Sequence, residues 1–350
     1  MPQYFRLESV GKLSGMSLLN GATNLAYTIK KLLHSICDHK PEEQEYTPQF
    51  CDWDYMAAQA VVMSRPIVKV VQGVHAMEGA GVRICRTLGT SSLKNLDPYL
   101  MLDELKCESK AAAAGFPNHP HRGFETCTIM LEGAMDHADS VGNKGNIQAG
   151  GVQWMTAGRG IIHSEMPKIT HSMLHGFQLW INLPAKHKMC KPHYQDYQAE
   201  DIPVVEPSPG ISVRVMAGQS YNVSGPILMR NPGLLLDVRL DNRKGQQVEF
   251  KQIVPQGWNG FAYVYEGSGS IGGTKGRREQ NMVLGHGDHV VALADQGGVF
   301  KFLLVAGQPI GEPIVQHGPF VMNTKEEIMQ AFMDYSSGKF QNPADNPWTA

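Results

Sequence analysis

Two short pairs in this sequence carry the residue types of a metal centre: His119-Pro120-His121 and His163-Ser164-Glu165. In a strand, alternate residues point to one face, so each pair aims both of its ligating side chains the same way. Antiparallel neighbours about 5 Å apart can then bring all four groups around one ion. Three imidazoles and one carboxylate suit a divalent first-row metal such as iron, manganese, nickel or copper, and leave positions open on an octahedral ion for ligand exchange or chemistry. An HxH pair alone is common on solvated loops, and Pro120 argues against a regular central strand at that point. The HxE pair that follows 44 residues later (163 minus 119) outweighs this, because it comes just after the Gly-rich turn 157–160. Glu165, buried ahead of Met166-Pro167, would also need a partner that a metal supplies.

The elements that must position these pairs read mostly as strands. Short β-rich runs at 67–71, 82–85 and 126–131 are separated by Gly or Pro turns, and 177–183 alternates as a half-buried strand does. After a Pro-rich crossing at 203–209, a second strand-rich block runs through 234–240, 260–265 and 300–306. Two similar antiparallel β-units in tandem are the economical reading. The chain end turns helical: Thr324 and Glu327 form a capping box, and Ile328, Ala331, Phe332 and Tyr335 make an apolar stripe that must be buried on one of the units.

Residues 1–65 differ. Leu18, Ala22, Leu25, Ile29, Leu32 and Ile36 recur at helical spacing with Lys30 and Lys31 on the other side. Before Asp38 the only acid is Glu8, among Arg6, Lys12, the two lysines and several serines, a composition that fits organelle import through residues 1–40, an appended regulatory or docking helix, or simply an ill-fitting extension. The expected organisation is therefore an extension (1–65), a metal-binding unit (66–200), a second unit without metal that ends in the helix (201–340) and a tail (341–350).

Bulk composition excludes several classes. At 350 residues, with 42% hydrophobic and 18% charged residues, the chain has material for two globular cores. A formal charge of -2 gives no electrostatic reason to expect direct nucleic-acid or acidic-lipid binding. The six cysteines (Cys37, Cys51, Cys85, Cys107, Cys127, Cys190) include no CxxC pair, which points to a reducing compartment rather than a disulfide framework. No stretch reaches the roughly 18 uninterrupted apolar residues of a membrane span, so a soluble protein is expected.

Longer motifs carry a family resemblance. Asn95-Leu96-Asp97-Pro98 and the run 115–126, with its HxHx3E spacing, resemble the first signature of the pirins. The run 154–167 is similar to their second motif, and Gln316-His317-Gly318-Pro319-Phe320-Val321-Met322-Asn323-Thr324 to their C-terminal one. The resemblance covers roughly residues 68–340 and implies an all-β protein of two tandem antiparallel β-barrel (cupin, jelly-roll) domains with a short C-terminal helix. It implies iron, Fe(2+), on His119, His121, His163 and Glu165 in the first domain, and a metal-free second one. Spacing alone equally permits manganese, nickel or copper.

Glu125, the last residue of the HxHx3E spacing, is expected beside the centre, orienting a ligand histidine through its free ring nitrogen, or else as a solvated strand carboxylate. His286 and His289 in the second unit are spaced i, i+3, on opposite faces of a strand, and are not expected to ligate. His171, His175, His187 and His193 are read as surface or satisfied histidines.

Pirin relatives include quercetin 2,3-dioxygenases, which insert both atoms of O2 into a flavonol ring and release carbon monoxide. The resemblance thus implies a small aromatic substrate and O2; on the chemistry of the site Glu165 can serve as both ligand and proton acceptor, and Phe116, Phe124, Met130 and Trp154 are candidate pocket walls, although such side chains are more often plain core. It also implies an alternative, an iron-dependent, redox-sensing transcriptional co-regulator that binds a protein partner, for which Arg230, Arg239, Arg243 and Lys244 are a faint basic patch. A monomer in cytoplasm and nucleus is expected, with organelle import through residues 1–40 as the alternative; the N-terminal extension and the Ala111–Ala114 run, read as a loop near the mouth, depart from the family pattern.

Overall fold

Period-two alternation becomes antiparallel strand almost throughout the computed structural model, which describes residues 63–340 apart from residue 246. The amphipathic helix expected at 18–36 and the tail at 341–350 lie outside the described residues. In the first unit a seven-stranded sheet runs in the order His193–Tyr197, Val152–Thr156, Phe124–Glu132, Met173–Asn182, Tyr99–Glu108, Val82–Leu88 and Val74–Glu78. A four-stranded sheet, Phe116–His121, Ile161–Pro167, Ala134–Asp139 and Lys144–Gln148, faces it. Val82, Ile84, Leu105, Met130 and Leu174 from one sheet meet Met135 and Ile147 from the other between the layers. Phe116–His121 is the edge strand of its sheet, which is where Pro117 and Pro120 can be carried without breaking an interior ladder.

The second unit is built on a ten-stranded sheet whose central strands are Asn259–Ile271, Val299–Gly307 and Gly233–Asp241. Its interior is filled by apolar side chains, among them Val213, Val238, Phe250, Val290, Phe300 and Phe302. The two units share a further core: Cys127, Ile129, Trp154, Phe177, Leu179 and Ile181 of the first pack on Leu235, Phe261, Tyr263, Leu303 and Val305 of the second. The strand Met173–Asn182 is therefore covered on both faces, not half-buried as its alternation suggests. Each large apolar side chain buried in such a seam contributes about 1.5–3 kcal/mol.

Both ends of the described chain cross the sequence-based division at residue 200. Ile67–Gln72, assigned by sequence to the first unit, pairs with Gln280–Leu284 of the second. Conversely, the hairpin Val315–His317 and Phe320–Met322 and the helix Lys325–Ser336 lie against the first unit through a bridge between Arg122 and Phe320. The helix carries the expected capping box on Thr324 and Glu327, and Ile328 and Ala331 are buried against Ile162, Phe320, Met322 and Phe340. Phe332, expected in the buried stripe, is instead partly exposed and touches Phe320 and His317 edge-on, while Asp334 turns inward. Ala111–Ala114 is not a plain loop: a turn of 3-10 helix, Ser109–Ala112, buries Ala112 in the first core.

Two residues fasten this C-terminal segment beside the first motif. Lys188 is buried and donates from Nζ to the Gly123 carbonyl (2.9 Å), Asn182 Oδ1 (2.7 Å) and the Val321 carbonyl (2.9 Å). Burial pulls its ammonium down to about 8, against the nearby carboxylates of Glu312 and Glu327. Gly123 has φ +86°, and a Cβ there would lie 2.0 Å from the Val321 carbonyl oxygen. Gly123→Ala is therefore expected to destabilise by about 2–3 kcal/mol, read as a lowered midpoint in urea unfolding. An unchanged midpoint would show that the hairpin does not press on this position.

Candidate metal centre

The edge strand Phe116–His121 pairs antiparallel with Ile161–Pro167 so that His119 faces His163 and His121 faces Ile161. The i, i+2 spacing then puts the three imidazoles on one side, with ring centroids 4.7 Å (His119–His121), 4.4 Å (His119–His163) and 4.9 Å (His121–His163) apart. One ligating atom from each lies within 4.8 Å of the others. His119 Nδ1 is 2.8 Å from the Pro117 carbonyl; donating there fixes the proton on Nδ1 and leaves Nε2 a free acceptor. Trp180 and Phe124 pack on His121 with centroids 5.1 and 5.0 Å away and hold its ring in place.

His121 and His163 are buried, yet among the described residues His121 Nδ1 and both nitrogens of His163 have no hydrogen-bond partner. Unpartnered buried polar atoms cost about 1–3 kcal/mol each, and a cation bound through one nitrogen of each ring removes the cost at that atom. These three imidazoles can hold a metal ion. Burial, then the neighbouring imidazoles, hold His121 and His163 well below the usual histidine range, so both are neutral and ready to ligate at pH 7.

A pH dependence follows for metal-free protein. Unfolded imidazoles take up protons as pH falls below about 6.5, while His121 and His163 in the folded chain do not. The unfolded state then binds more protons. Stability is full above about pH 6.5 and is lost below it, towards the depressed folded values, at about 1.4 kcal/mol per pH unit for each imidazole. Urea unfolding of chelator-treated protein on both sides of pH ~6 checks this; equal stability there would mean that the pair is not buried and neutral.

Glu165, the fourth expected ligand, is buried on the same strand, but a bulge between His163 and Glu165 sets it against Phe116. Its carboxylate is held from the seven-stranded sheet: Thr128 Oγ1 lies 2.7 Å from Oε1, and Gln178 Nε2 donates to Oε2 at 3.3 Å. Thr128 Oγ1 is also 2.7 Å from Gln178 Oε1, although a hydroxyl has one proton to donate. Thus the structure gathers three of the four expected ligands and sets the carboxylate beside them in a polar network.

Glu125 does not orient a ligand histidine, nor is it a solvated carboxylate. On Phe124–Glu132, Phe124 and Thr128 turn to the centre, and period two sends Glu125, with Cys127 and Ile129, to the opposite, seam-facing side. There it is buried and accepts a 2.6 Å bond from Thr156 Oγ1, with Arg230 Nε 3.9 Å away. Burial pushes its carboxyl above the usual range in spite of Thr156, Trp154 and Arg230.

A cavity of about 780 Å³ opens over His119 and His121. Of the expected walls, Phe116 and Met130 line it; Phe124 packs behind His121, and Trp154 belongs to the seam core. Sequence reasoning missed Trp180 and Gln178 on one strand and Met101, Asp103 and Leu105 on another, though alternation places each set on a single face. It also missed Arg86, which donates from Nε and Nη2 to both oxygens of Asp103 (2.7 and 2.6 Å) in the cavity wall.

The remaining histidines and basic residues find other roles. His175 is buried against Glu104 Oε1 at 2.7 Å, and His289 Nδ1 is 2.6 Å from Asp288 while His286 is exposed. Arg239 and Arg243 both engage Asp241, and Arg230 faces Glu125, so the faint basic patch is largely paired with acids. No helix among the described residues is long and apolar enough to cross a membrane.

Two tandem antiparallel units, the first with three imidazoles converging beneath a cavity, define a bicupin protein. The Pirin family model matches residues 81–181, and that of the Pirin C-terminal cupin domain matches residues 235–341. The chain belongs to the pirin family. It is 47% identical over 283 residues to a pirin-like protein of Solanum lycopersicum, covering 79% of this chain and 94% of that one. It is 42% identical over 282 residues to the Pirin of Homo sapiens, again over 79% and 94%. Among solved structures, a quercetin 2,3-dioxygenase from Acinetobacter baumannii superposes with a TM-score of 0.73 at 33% identity, over 79% of this chain and 98% of that one.

Proposed function

We propose that this pirin is a quercetin 2,3-dioxygenase-type enzyme that oxidises flavonol-like substrates at an iron centre on His119, His121 and His163, with Glu165 as fourth ligand or proton acceptor. The observation that carries the reading is the convergence of three imidazoles beneath a cavity of about 780 Å³, within the range of small-molecule sites. Similarity to the Acinetobacter baumannii quercetin 2,3-dioxygenase supports the substrate class. A divalent iron ion on these nitrogens would supply an open position that acidifies a bound hydroxyl, and a redox partner for O2.

The chain's own residues do the rest. Trp180, Phe116, Met130 and Leu100 offer apolar surface to a planar ring system and exclude water from it. The substrate's hydroxyl proton passes to Glu165, whose carboxylate is braced by Thr128 and Gln178. Protonation there gives the network the donor it lacks, since a protonated Glu165 donates to Thr128 Oγ1 and frees the Thr128 proton for Gln178 Oε1. Both atoms of O2 enter the ring-cleaved product, and one ring carbon leaves as carbon monoxide.

The test is anaerobic purification with elemental analysis, then oxygen uptake and carbon monoxide release with quercetin, for the parent and Glu165→Gln. Metal-dependent turnover that falls at least about 100-fold in Glu165→Gln supports the reading. Stoichiometric iron without turnover of several flavonols would sink it in favour of a metal-gated, partner-binding co-regulator.

A further inference from the structure

A second cluster of ligand-type side chains lies where the two units meet, away from the three imidazoles. Val74–Glu78 pairs antiparallel with Val82–Leu88, and His75 stands directly opposite Cys85 in that ladder. The third member comes from the second unit: Glu279 occupies the turn before Gln280–Leu284 and turns its carboxylate to His75, with Oε2 3.3 Å from Nε2. One atom from each of the three, nitrogen, sulfur and oxygen, lies within 4.8 Å of the others.

The backbone is shaped to hold this arrangement. Glu279 has φ +63°, a conformation uncommon for a residue other than glycine, and its carbonyl accepts from Gly73 N at 2.8 Å and from Gln72 Nε2 at 3.2 Å. Gly73 has no side chain where one would collide, since a Cβ there would fall 2.2 Å from Cys85 Sγ. The sulfur itself is buried, and its one hydrogen-bond contact among the described residues is a long 3.9 Å approach from the Tyr263 hydroxyl. His75 is 45% exposed and gives a path from solvent. Arg278 Nη2 lies 3.2 Å from the other Glu279 oxygen, Oε1, and leaves Oε2 to the cluster.

We propose that His75, Cys85 and Glu279 form a second cation site, selective for a borderline-soft divalent ion of the zinc type, which ties the two cupin units together across their seam. Thiolate, imidazole and carboxylate are the donor types of zinc sites, and a water completes a tetrahedron on three protein ligands. An ion about 2.0–2.1 Å from a nitrogen and an oxygen sets those two atoms roughly 3.3–3.4 Å apart, close to the His75–Glu279 separation. Because the ligands come from both units, the ion binds only when the seam is closed and therefore stabilises that arrangement.

Cobalt(II) is the probe, since a thiolate-to-cobalt charge-transfer band cannot arise from three imidazoles. Full-length protein stripped of metal should bind two equivalents, the band developing with one of them. His163→Leu should lose an equivalent and keep the band. Cys85→Ser should lose the band and an equivalent while keeping the three-imidazole site, and His75→Ala, a substitution outside the core, should weaken the banded site by at least about 10-fold. Zinc added to His163→Leu should raise the thermal midpoint, and this rise should vanish when His75→Ala is added. A single equivalent without the band in the parent, or a band that survives Cys85→Ser, would overturn the proposal.

Discussion

His163→Leu is expected to abolish metal binding at the three-imidazole centre and, in the same molecule, to make the metal-free protein more stable. His163 is fully buried, and neither ring nitrogen has a hydrogen-bond partner among the described residues. A leucine of similar volume removes two orphaned polar atoms, a gain of about 1–3 kcal/mol for each in urea unfolding of chelator-treated protein. Losing a residue that merely supports a ligand weakens metal sites 10–100-fold; losing a ligand itself should cost about 100-fold or more, read as equilibrium affinity in a chelator competition. The opposed signs matter. A histidine kept for packing would lose stability on replacement and leave affinity alone, whereas one kept for binding holds a local cost that its ion relieves. If the metal-free variant is instead much less stable and still binds metal, His163 is a structural residue and the centre lies elsewhere.

The centre was legible because its signal is local. HxH and HxE pairs specify a shared face through the strand period alone, and the strands Phe116–His121 and Ile161–Pro167 do bring His119 opposite His163. Period two would also have placed Glu125, had it been counted from Phe124, which packs on His121; Gly123, with its positive φ, breaks the count between HxH and the glutamate. The bulge that sets Glu165 against Phe116 left no mark on its spacing from His163, because bulges are fixed by what the partner strand does. Least legible were the pairings between distant segments. Ile67–Gln72 reads as the first strand of the first unit, and nothing in its six residues says that its partner is Gln280–Leu284. Such pairings are decided by which sheet edge remains open once the rest has folded.

The C-terminal helix gives the second large effect. Asp334 lies on its buried side, where sequence periodicity expected only apolar residues, and its Oδ2 accepts from Arg122 Nη1 at 2.9 Å across 212 positions of chain. Arg122 directly follows His121. It also donates from Nε to the Arg159 carbonyl (2.6 Å) and lies over the Phe340 ring at 4.6 Å, so one side chain links the first motif, the Gly-rich turn and the end of the described chain. Burial would raise the Asp334 carboxyl, but Lys339, Gln330 and Arg122 together bring it below its ordinary value. Asp334→Leu strips the guanidinium of its only carboxylate within the described residues and should destabilise by about 3–5 kcal/mol in urea unfolding, the cost of a buried charge left uncompensated. Arg122→Leu should cost less, because Asp334 keeps Lys339 at 2.7 Å and Gln330 at 2.8 Å. The double substitution should be milder than the sum of the singles, the signature of a direct pair. Metal affinity should fall with Arg122→Leu as well, since the residue that anchors the end of the ligand strand is gone. Additive losses with metal affinity unchanged would mean that the helix covers the first unit without bracing its centre.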